Sequence, residues 1–321
     1  MRIGTIALGC LAAVAAPAAL SQSYPSKPIR LIIAQAPGSA SDVIARLVGN
    51  KLTESMGQAV IIDARPGAGG TLGTEAAARS APDGYTLMIG NNSSHGANPA
   101  LYQKLSFDAV KDFAPIIYFA NTGYVLVVNP SLPVSTVKEL IALAKARPGQ
   151  LNYGSPGNGS NHQLSSELLK LMTGIDIVHV PYKGTTPAVT AVISGEVSIL
   201  FSTVTAIQPH IKSGKVKGLA IATLKRFPMM PDLPTVAETV PGFEMLSWYV
   251  LVAPAKTPTV IVNKLNQQMN KMLQVPDLKA AINAQGFEVL TGGTPQQAGE
   301  FIKSEIEKMK KIAKAANIKA E

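Results

Sequence analysis

The chain has 321 residues, of which 46% are hydrophobic and only 15% are charged, so it can bury a large core, and its length suits two domains better than one. Lys and Arg outnumber Asp and Glu by 29 to 20. The basic residues are scattered without interleaved aromatic residues or a recognisable nucleic-acid module, so we expect a solvated surface and no nucleic-acid partner.

The first residues have the pattern of a secretory signal peptide. Arg2 gives a short positive start, and an apolar, alanine-rich run follows over 3–20. We therefore predict that residues 1–22 are removed and that the mature protein is periplasmic. An uncleaved membrane anchor is the alternative, and Pro17 within a short run disfavours it. The single cysteine, Cys10, lies in this segment, so the mature chain would contain no disulfide or thiolate metal site.

Beyond this segment, short β-branched runs alternate with helix-like stretches, which predicts an α/β protein with parallel or mixed sheets covered by helices. The predicted strands are Ile29–Ala36, Ala59–Asp63, Thr86–Gly90, Tyr124–Asn129, Leu151–Gly154, Ile177–Pro181, Val197–Ser202 and Lys217–Thr223. The predicted helices are Asp42–Ser55, Gly73–Arg79, Thr136–Arg147, Gln163–Thr173, Pro187–Ser194, Val260–Leu273 and Pro295–Ala316.

Two small-residue turns, 37–42 and 155–161, each link a predicted strand to a predicted helix, one in each half of the chain. The first turn of a helix has unpaired backbone N–H groups and the positive end of the helix dipole, so such turns bind anions. Two of them in distant halves predict a clamp on one anion. The candidate ligand-binding residues in these turns are Gly38, Ser39, Ala40, Ser41, Ser155, Asn158, Gly159 and Ser160.

Further hydroxyl groups lie at the ends of other elements that face the same cleft in an open α/β sheet. Ser94 follows one predicted strand, Ser202 ends another, and Thr185 comes just before a predicted helix. We expect these three residues to line the remaining wall of the site and to contribute to its specificity.

Two motifs resemble catalytic or nucleotide-binding turns but have the wrong spacing. The run Gly67–Gly73 has Leu72 where the third glycine of a dinucleotide-binding turn belongs, and Tyr153 stands where a nucleophile elbow requires its first glycine. The four histidines show no metal-ligand spacing. We therefore predict no cofactor, no metal and no catalytic residue, and a hydrolase remains a remote alternative.

A series of short motifs follows in a specific order along the mature chain. The motifs are Tyr24-Pro25, Lys27-Pro28-Ile29-Arg30, Pro37-Gly38 with Asp42, Arg65-Pro66-Gly67-Ala68-Gly69-Gly70, Pro82-Asp83-Gly84-Tyr85-Thr86-Leu87, Asn98-Pro99, Val180-Pro181-Tyr182-Lys183-Gly184, Pro231-Asp232-Leu233-Pro234-Thr235, and Trp248 with Ala253-Pro254. In this order they resemble those of the Bug (Bordetella uptake gene) or TctC family of periplasmic solute-binding proteins. Each motif alone is weak, but their collinear order is specific.

This resemblance implies a two-lobed periplasmic-binding-protein fold of type II, the Venus flytrap, with two interlobe crossovers near 121–124 and 245–248. Lobe 1 would comprise residues 23–123 and 248–321, and lobe 2 would comprise residues 124–247. The two turns would hold the carboxylate of the ligand, one from each lobe.

The resemblance also implies the partners of the chain. The ligand would be a small carboxylate, a di- or tricarboxylate or an aromatic acid, and the protein partner would be the membrane components of a tripartite tricarboxylate transporter. A receptor that signals to a membrane sensor kinase is the alternative, and we expect a monomer in either case.

Many relatives have an acidic residue where Ser202 stands, so Ser202 favours a ligand with a neutral or acidic far end over a cationic amino acid. Ser39 replaces a glycine that is common in the family.

Overall fold

The computed structural model of the chain describes residues 24–315 and residue 318; the predicted signal peptide lies outside the described residues. The strands are β1 (Ile29–Ile33), β2 (Val60–Ala64), β3 (Thr86–Asn91), β4 (Phe113–Val128), β5 (Asn152–Ser155), β6 (Val178–Pro181), β7 (Ile199–Thr203), β8 (Lys217–Ile221), β9 (Leu246–Pro254) and β10 (Glu288–Val289). The helices are α1 (Ala40–Met56), α2 (Thr71–Ala78), α3 (Asn98–Leu101), α4 (Val137–Ala146), α5 (Asn161–Thr173), α6 (Thr185–Ser194), α7 (Val204–Lys212), α8 (Thr259–Leu273), α9 (Pro276–Ala284) and α10 (Pro295–Ala315).

One mixed sheet runs through the molecule, and its two parts form the centres of two lobes. In the first lobe the strand order is β2-β1-β3-β9-β4, and β10 also pairs with β4. In the second lobe β4 pairs with β8 and β7, and the order continues through β5 to β6. Strands β2, β1 and β3 are parallel, as are β7, β5 and β6. Because parallel strands end at the same edge of a sheet, the turns that follow them in each lobe lie together.

Strand β4 belongs to both lobes. Its residues 113–123 pair with β9, whereas residues 124–128 pair with β7 and β8. A second crossing lies directly before β9, since the N–H of Met245 donates to the carbonyl of Ala222 in the second lobe and Leu246 pairs with Gly123 in the first. The two crossovers are therefore adjacent and antiparallel.

Strand β1 shows why the central strands are uninterrupted apolar runs rather than alternating ones. Ile29, Leu31 and Ile33 are fully buried in the cluster that contains α1, and Ile32 is fully buried in the cluster on the opposite face with Trp248. Helices cover both faces of the parallel strands, so apolar side chains are buried on both sides.

The predicted strands and helices all have counterparts, but the structure adds a central strand that the sequence analysis does not predict. Strand β9, with the sequence LSWYVLVAP, is buried at every position after its first, so no alternation of polar and apolar residues marks it. Strand β4 also begins at Phe113 rather than at Tyr124; most residues of its first-lobe part are buried, and its three half-buried positions, 114, 115 and 118, do not alternate with them. Helix α7 contains Pro209, which hides its helical pattern.

Helix α10 packs on the cores of both lobes. Ile302 and Ile306, near its middle, lie in the first-lobe cluster with Trp248. Met309 and Ile312, in its second half, lie in the cluster that holds the second-lobe strands. The helix therefore spans the region of the crossovers.

Polar contacts anchor α10 at the same place. Glu305 is 9% exposed and accepts a hydrogen bond of 2.8 Å from the indole Nε1 of Trp248 on β9. Lys308 Nζ lies 3.5 Å from Glu305 Oε1 and 3.4 Å from Glu244 Oε2, directly before the second crossover. These contacts fix the helix to the start of β9.

We predict opposite stability effects for the same substitution at two glycines. Gly123→Ala places a Cβ atom 2.5 Å from Cδ1 of the fully buried Ile221, so overpacking should lower the free energy of unfolding by about 1–3 kcal/mol. Gly299→Ala, inside α10, meets only Pro115 at an ordinary 3.5 Å, so better helix propensity should raise that free energy by about 0.5–1 kcal/mol. Urea unfolding of both variants measures the two signs, and a stable Gly123→Ala protein would contradict tight packing at the crossover.

Candidate functional site

The first turn, before α1, is held by its own side chains. Gly38 has a φ of +80°, and its N–H donates to Asp42 Oδ2 at 2.9 Å. Ser39 is the N-cap residue of α1, and its Oγ accepts from the N–H of Asp42 at 3.3 Å. The left-handed conformation at Gly38 costs a glycine little and turns its N–H toward the Asp42 carboxylate.

The second turn, before α5, repeats this arrangement in the other lobe. Gly159 has a φ of +75°, and its N–H donates to Gln163 Oε1 at 2.7 Å. Ser160 caps α5, and its Oγ accepts from the N–H of Gln163 at 3.4 Å. Both turns thus have the pattern Gly-Ser-x-x-acceptor, in which the glycine bonds to the side chain four residues later.

These bonds decide which backbone donors are available to a ligand. The N–H groups of Gly38 and Gly159 are used within their own turns. Those of Ala40 and Ser41 in the first turn, and of Asn161 and His162 in the second, have no acceptor among residues 24–315 and 318. Four helix N-terminal donors from two lobes therefore remain for an anion.

A chain of hydrogen bonds connects the two turns through the segment after β3. Ser41 Oγ accepts from Asn91 Nδ2 at 3.0 Å, and Asn91 Oδ1 accepts from the N–H of Ser93 at 3.0 Å. Ser93 Oγ accepts from Asn161 Nδ2 at 3.2 Å. This chain brings the first-lobe turn and the second-lobe turn to the same place at the base of the cleft.

Ser94 and His95 fix the Asn91 end of this chain. Ser94 is fully buried, and its Oγ accepts from the N–H of Asn91 at 3.0 Å and lies 2.9 Å from His95 Nδ1. Burial lowers the pKa of His95 to about 3, so this imidazole is neutral at pH 7. The Ser94 hydroxyl is thus engaged inside the first lobe, and the neighbouring Ser93 makes the contact across the cleft.

Several buried polar atoms near the two turns have no hydrogen-bond partner among the described residues. Four of them are Asp42 Oδ1, Asn161 Oδ1, His162 Nε2 and Ser202 Oγ, and His95 Nε2 is a fifth. Burial lowers the pKa of His162 to about 4, so it also offers a neutral ring, which packs edge-on against Tyr124 at 5.0 Å. Because a buried polar atom without a partner is costly, such atoms mark a place that a bound molecule or water satisfies.

The remaining second-lobe candidates surround the second turn. Ser155 Oγ donates to the carbonyl of Gly157 at 3.1 Å, and Asn158 is exposed. Thr185 begins α6 directly after Gly184, whose N–H donates to the carbonyl of Pro156 at 3.1 Å.

Ser202 lies two residues beyond Leu200, which pairs with Gly154, near the end of β7. The structure therefore gathers the second-lobe candidates at one edge of the sheet, as the turns 37–42 and 91–96 are gathered in the first lobe.

Residues that the sequence did not predict for this arrangement include Asn91, Gln163 and His179, whose Nε2 lies 2.6 Å from Ser155 Oγ. Asn91 carries the contact between Ser41 and Ser93, and Gln163 holds Gly159. The signal that indicates Gln163 is the equal spacing of Gly-Ser-x-x-Asp and Gly-Ser-x-x-Gln in the two turns. Asn91 ends the buried strand β3, and His179 lies in the middle of β6, whose residues are half-buried or exposed; neither carries a comparable signal.

Other types of site are not evident in the described part of the chain. No group of three or more His, Cys, Asp or Glu residues there is arranged to hold a metal ion, and no helix there is long and apolar enough to cross a membrane. A surface groove of about 800 Å³ lies between residues 99–112 and α10, but it shares no residue with the two turns.

Known proteins match this chain over nearly its whole length. The sequence profile of the tripartite tricarboxylate transporter family receptor matches residues 44–318. BugT of Bordetella pertussis is 36% identical over 310 residues, which cover 96% of this chain and 94% of BugT. A solved R. palustris protein with adipate has a TM-score of 0.85 and 37% identity, covering 92% of this chain and 99% of that one.

Two further solved structures support the same fold. MatC from Rhodopseudomonas palustris, with bound malate, has a TM-score of 0.81 and 31% identity, covering 90% of this chain and 99% of MatC. The periplasmic binding protein BugD has a TM-score of 0.82 and 29% identity, covering 93% of this chain and 100% of BugD. The predicted two-lobed periplasmic-binding-protein fold is therefore confirmed.

Asp42 provides a pH-dependent test of the first turn. Burial raises its pKa, but hydrogen bonds from Arg46 and from the N–H of Gly38 outweigh this effect, so the pKa of Asp42 is lowered. A lowered pKa in the folded protein stabilises it above the unfolded-state value of about 4, and this contribution disappears as the pH falls through the folded-state pKa.

We predict that Asp42→Ala lowers the free energy of unfolding at pH 7 by about 1–2 kcal/mol, because Gly38 and Arg46 lose their acceptor. Asp42→Asn keeps an acceptor and should cost less. Urea unfolding at pH 7 and at pH 3 measures both variants, and the difference between wild type and Asp42→Asn should shrink at pH 3. An undiminished difference at pH 3 would show that the carboxylate charge does not stabilise the turn.

Proposed function

Because the chain belongs to the tripartite tricarboxylate transporter receptor family, the TctC/Bug family, whose fold is that of solute-binding receptors, we propose that it captures a small carboxylate between its lobes. We further propose that it does so in the periplasm, after removal of residues 1–22. It would then deliver the ligand to the membrane components of a tripartite tricarboxylate transporter.

The observation that carries this proposal is the pair of helix N-termini that converge from separate lobes with open N–H groups. Ala40 and Ser41 start α1, and Asn161 and His162 start α5. A hydrogen bond to a charged group typically contributes about 1.5–3 kcal/mol, so even two or three such bonds support capture at micromolar concentration, about −8 kcal/mol, together with contacts elsewhere. The helix dipoles add to the attraction.

The charges around the turns favour a neutral, geometric mode of anion binding. No arginine or lysine belongs to either turn, and the nearest cation along α1, Arg46, is paired with Asp42 at 3.0 Å. Hydroxyl and N–H donors therefore hold the proposed carboxylate. Binding by such donors depends on their exact placement, because no mobile charge compensates for a misplaced one.

The far end of the ligand would meet the neutral polar atoms of the second lobe. Ser202 Oγ and Asn161 Oδ1 are buried and lack partners among the described residues. Neither group carries a charge that would select an ammonium group. The solved relatives named with adipate and with malate hold dicarboxylates, so we propose that a small dicarboxylate is the ligand class, with tricarboxylates and aromatic acids as alternative outcomes of a screen.

Closure about the crossovers completes the proposed mechanism. The moving bodies would be residues 23–123 with 248–321 and residues 124–247. One lobe binds the carboxylate first, and the second turn then completes its shell, so the ligand favours the closed state by its extra contacts there. The hydrogen bond between Ser93 and Asn161 joins the two bodies in this arrangement.

A ligand screen with a charge-matched pair of variants tests the proposal. The mature protein should be stabilised thermally by adipate, malate or citrate, and not by ornithine, because a ligand bound to the native state raises its apparent stability. Ala40→Asp should lower the affinity at least tenfold, since two negative charges about 5 Å apart repel by about 3 kcal/mol at an effective dielectric constant of 20. Aspartate suits a helix N-terminus, so folding should be intact.

Ala40→Asn is the matched control, because it adds the same bulk without the charge. Calorimetric titration should give it an affinity close to that of the wild type. Equal affinity in Ala40→Asp and Ala40→Asn would remove the first turn from the anion site. Loss of uptake of the bound ligand in cells that lack the receptor supports transport, whereas ligand-dependent association with a sensor-kinase ectodomain would favour signalling.

A further inference from the structure

The two turns hold their glycine N–H groups with acceptors of different kinds. In the first turn the acceptor is the carboxylate of Asp42, both oxygens of which can accept, and Arg46 fixes it. In the second turn the acceptor is the amide of Gln163, which accepts on one side and donates on the other. The amide must therefore be held in one of two orientations, and a carboxylate needs no such control.

His179, at the middle of β6, lies where it can fix that orientation. Its Nδ1 is 3.2 Å from Gln163 Nε2, and its Nε2 is 2.6 Å from Ser155 Oγ. The amide nitrogen of Gln163 can only donate, so Nδ1 of His179 accepts and Nε2 carries the proton. The hydroxyl oxygen of Ser155 accepts a hydrogen bond from that N–H, and the hydroxyl donates to the carbonyl of Gly157. One imidazole therefore contacts Ser155 at the beginning of the turn and Gln163 just after its end.

We propose that His179 is a positioning residue for anion binding, acting through Gln163 and Ser155 to hold the second turn with Gly159 bonded inward and the N–H groups of Asn161 and His162 open to the ligand. This inference rests on the proposed carboxylate-binding function. In this arrangement His179 acts through the residues that it contacts and not through a contact with the ligand.

The surroundings of His179 favour the neutral ring that this arrangement needs. The ring stacks on Tyr153 of β5 at 4.9 Å, and the Glu167 and Lys170 pair of α5 faces it. Burial lowers the pKa of His179, Glu167 raises it, and Lys170 lowers it, with a net shift below the usual 6.5. Tyr153 donates to Glu167 at 2.5 Å, which holds that carboxylate in place.

Protonation of His179 at Nδ1 would break the relay, which is the chain of hydrogen bonds from His179 through Gln163 to the N–H of Gly159. A protonated Nδ1 would face the amide N–H of Gln163, so two donors would meet. If the amide turned over, its nitrogen would face the N–H of Gly159, and Gly159 would lose its acceptor. The state of His179 is therefore transmitted to the backbone of the second turn in either case.

The first experiment uses the unliganded wild-type mature protein and needs no variant. NMR titration from pH 8 to pH 5 should show the Gly159 amide proton moving upfield with the same midpoint as the His179 imidazole, because protonation removes the acceptor of that N–H. The Gly38 amide, which is bonded to Asp42, is the internal control and should not follow this midpoint. A Gly159 resonance that ignores His179 would overturn the relay.

The second experiment is a double-mutant cycle at pH 7.5, where His179 is neutral and its replacement changes no charge. His179→Phe keeps the stacking on Tyr153 and removes both hydrogen bonds, and Gln163→Met removes the acceptor of Gly159. Each should weaken the binding of adipate or malate by about tenfold, the loss expected for one unmade hydrogen bond. The double variant should lose less affinity than the product of the two single losses, because both changes break the same contact at Gln163 and only the bond of His179 to Ser155 is lost in addition.

Losses that multiply in the double variant would show that His179 does not act through Gln163. His210→Phe, on α7 and outside the relay, is the control and should leave the affinity unchanged. If the NMR titration shows the relay but neither carboxylate binds the wild type, the proposed function is overturned and the relay stands. If carboxylates bind and His179→Phe binds as tightly as the wild type, the positioning role is overturned and the function stands.

Discussion

The first N–H groups of an α-helix have no acceptor within the helix, and this chain places two such helix starts at one cleft. The N-cap serines, Ser39 and Ser160, satisfy one N–H in each helix, and the preceding glycines bond to side chains four residues later. The first two N–H groups of each helix, those of Ala40 and Ser41 and those of Asn161 and His162, stay open. Because a buried N–H without a partner costs about 1–3 kcal/mol, this arrangement is stable only where water or a ligand reaches it.

The crossovers make these two helix starts neighbours although they lie 121 residues apart in the sequence, from Ala40 to Asn161. Strands β4 and β9 pass side by side from one lobe to the other, and α10 packs on both cores at the same level. One contact across the cleft is a neutral hydrogen bond from Asn161 to Ser93. Breaking such a bond during opening exposes no buried charge, which is compatible with a reversible hinge.

In the proposed function, neutral donors around the cleft make anion binding a matter of geometry. His95 and His162 are uncharged at pH 7 because of burial, and the charge of Arg46 is matched by Asp42. No permanent positive charge in the turns supplies affinity at long range. Asp42 and Gln163 hold the glycines of the two turns and so help to set the direction of each open N–H. In the proposed function, these side chains therefore affect the affinity for the ligand without contacting it.

The sequence alone determined the alternation of strands and helices, both small-residue turns and the family, because these depend on local patterns such as glycine and serine before a helix and on the collinear order of short motifs. It did not indicate β9 or the first-lobe part of β4, because their buried residues include polar ones such as Asn121, Thr122 and Ser247 and show neither an alternating pattern nor an uninterrupted apolar run. Only the tertiary structure decided that Asn91 and Ser93 connect the turns and that Gln163 and His179 support the second one. These contacts join residues of opposite lobes or of neighbouring strands, and the pairing of distant segments is set by packing, which no local pattern encodes.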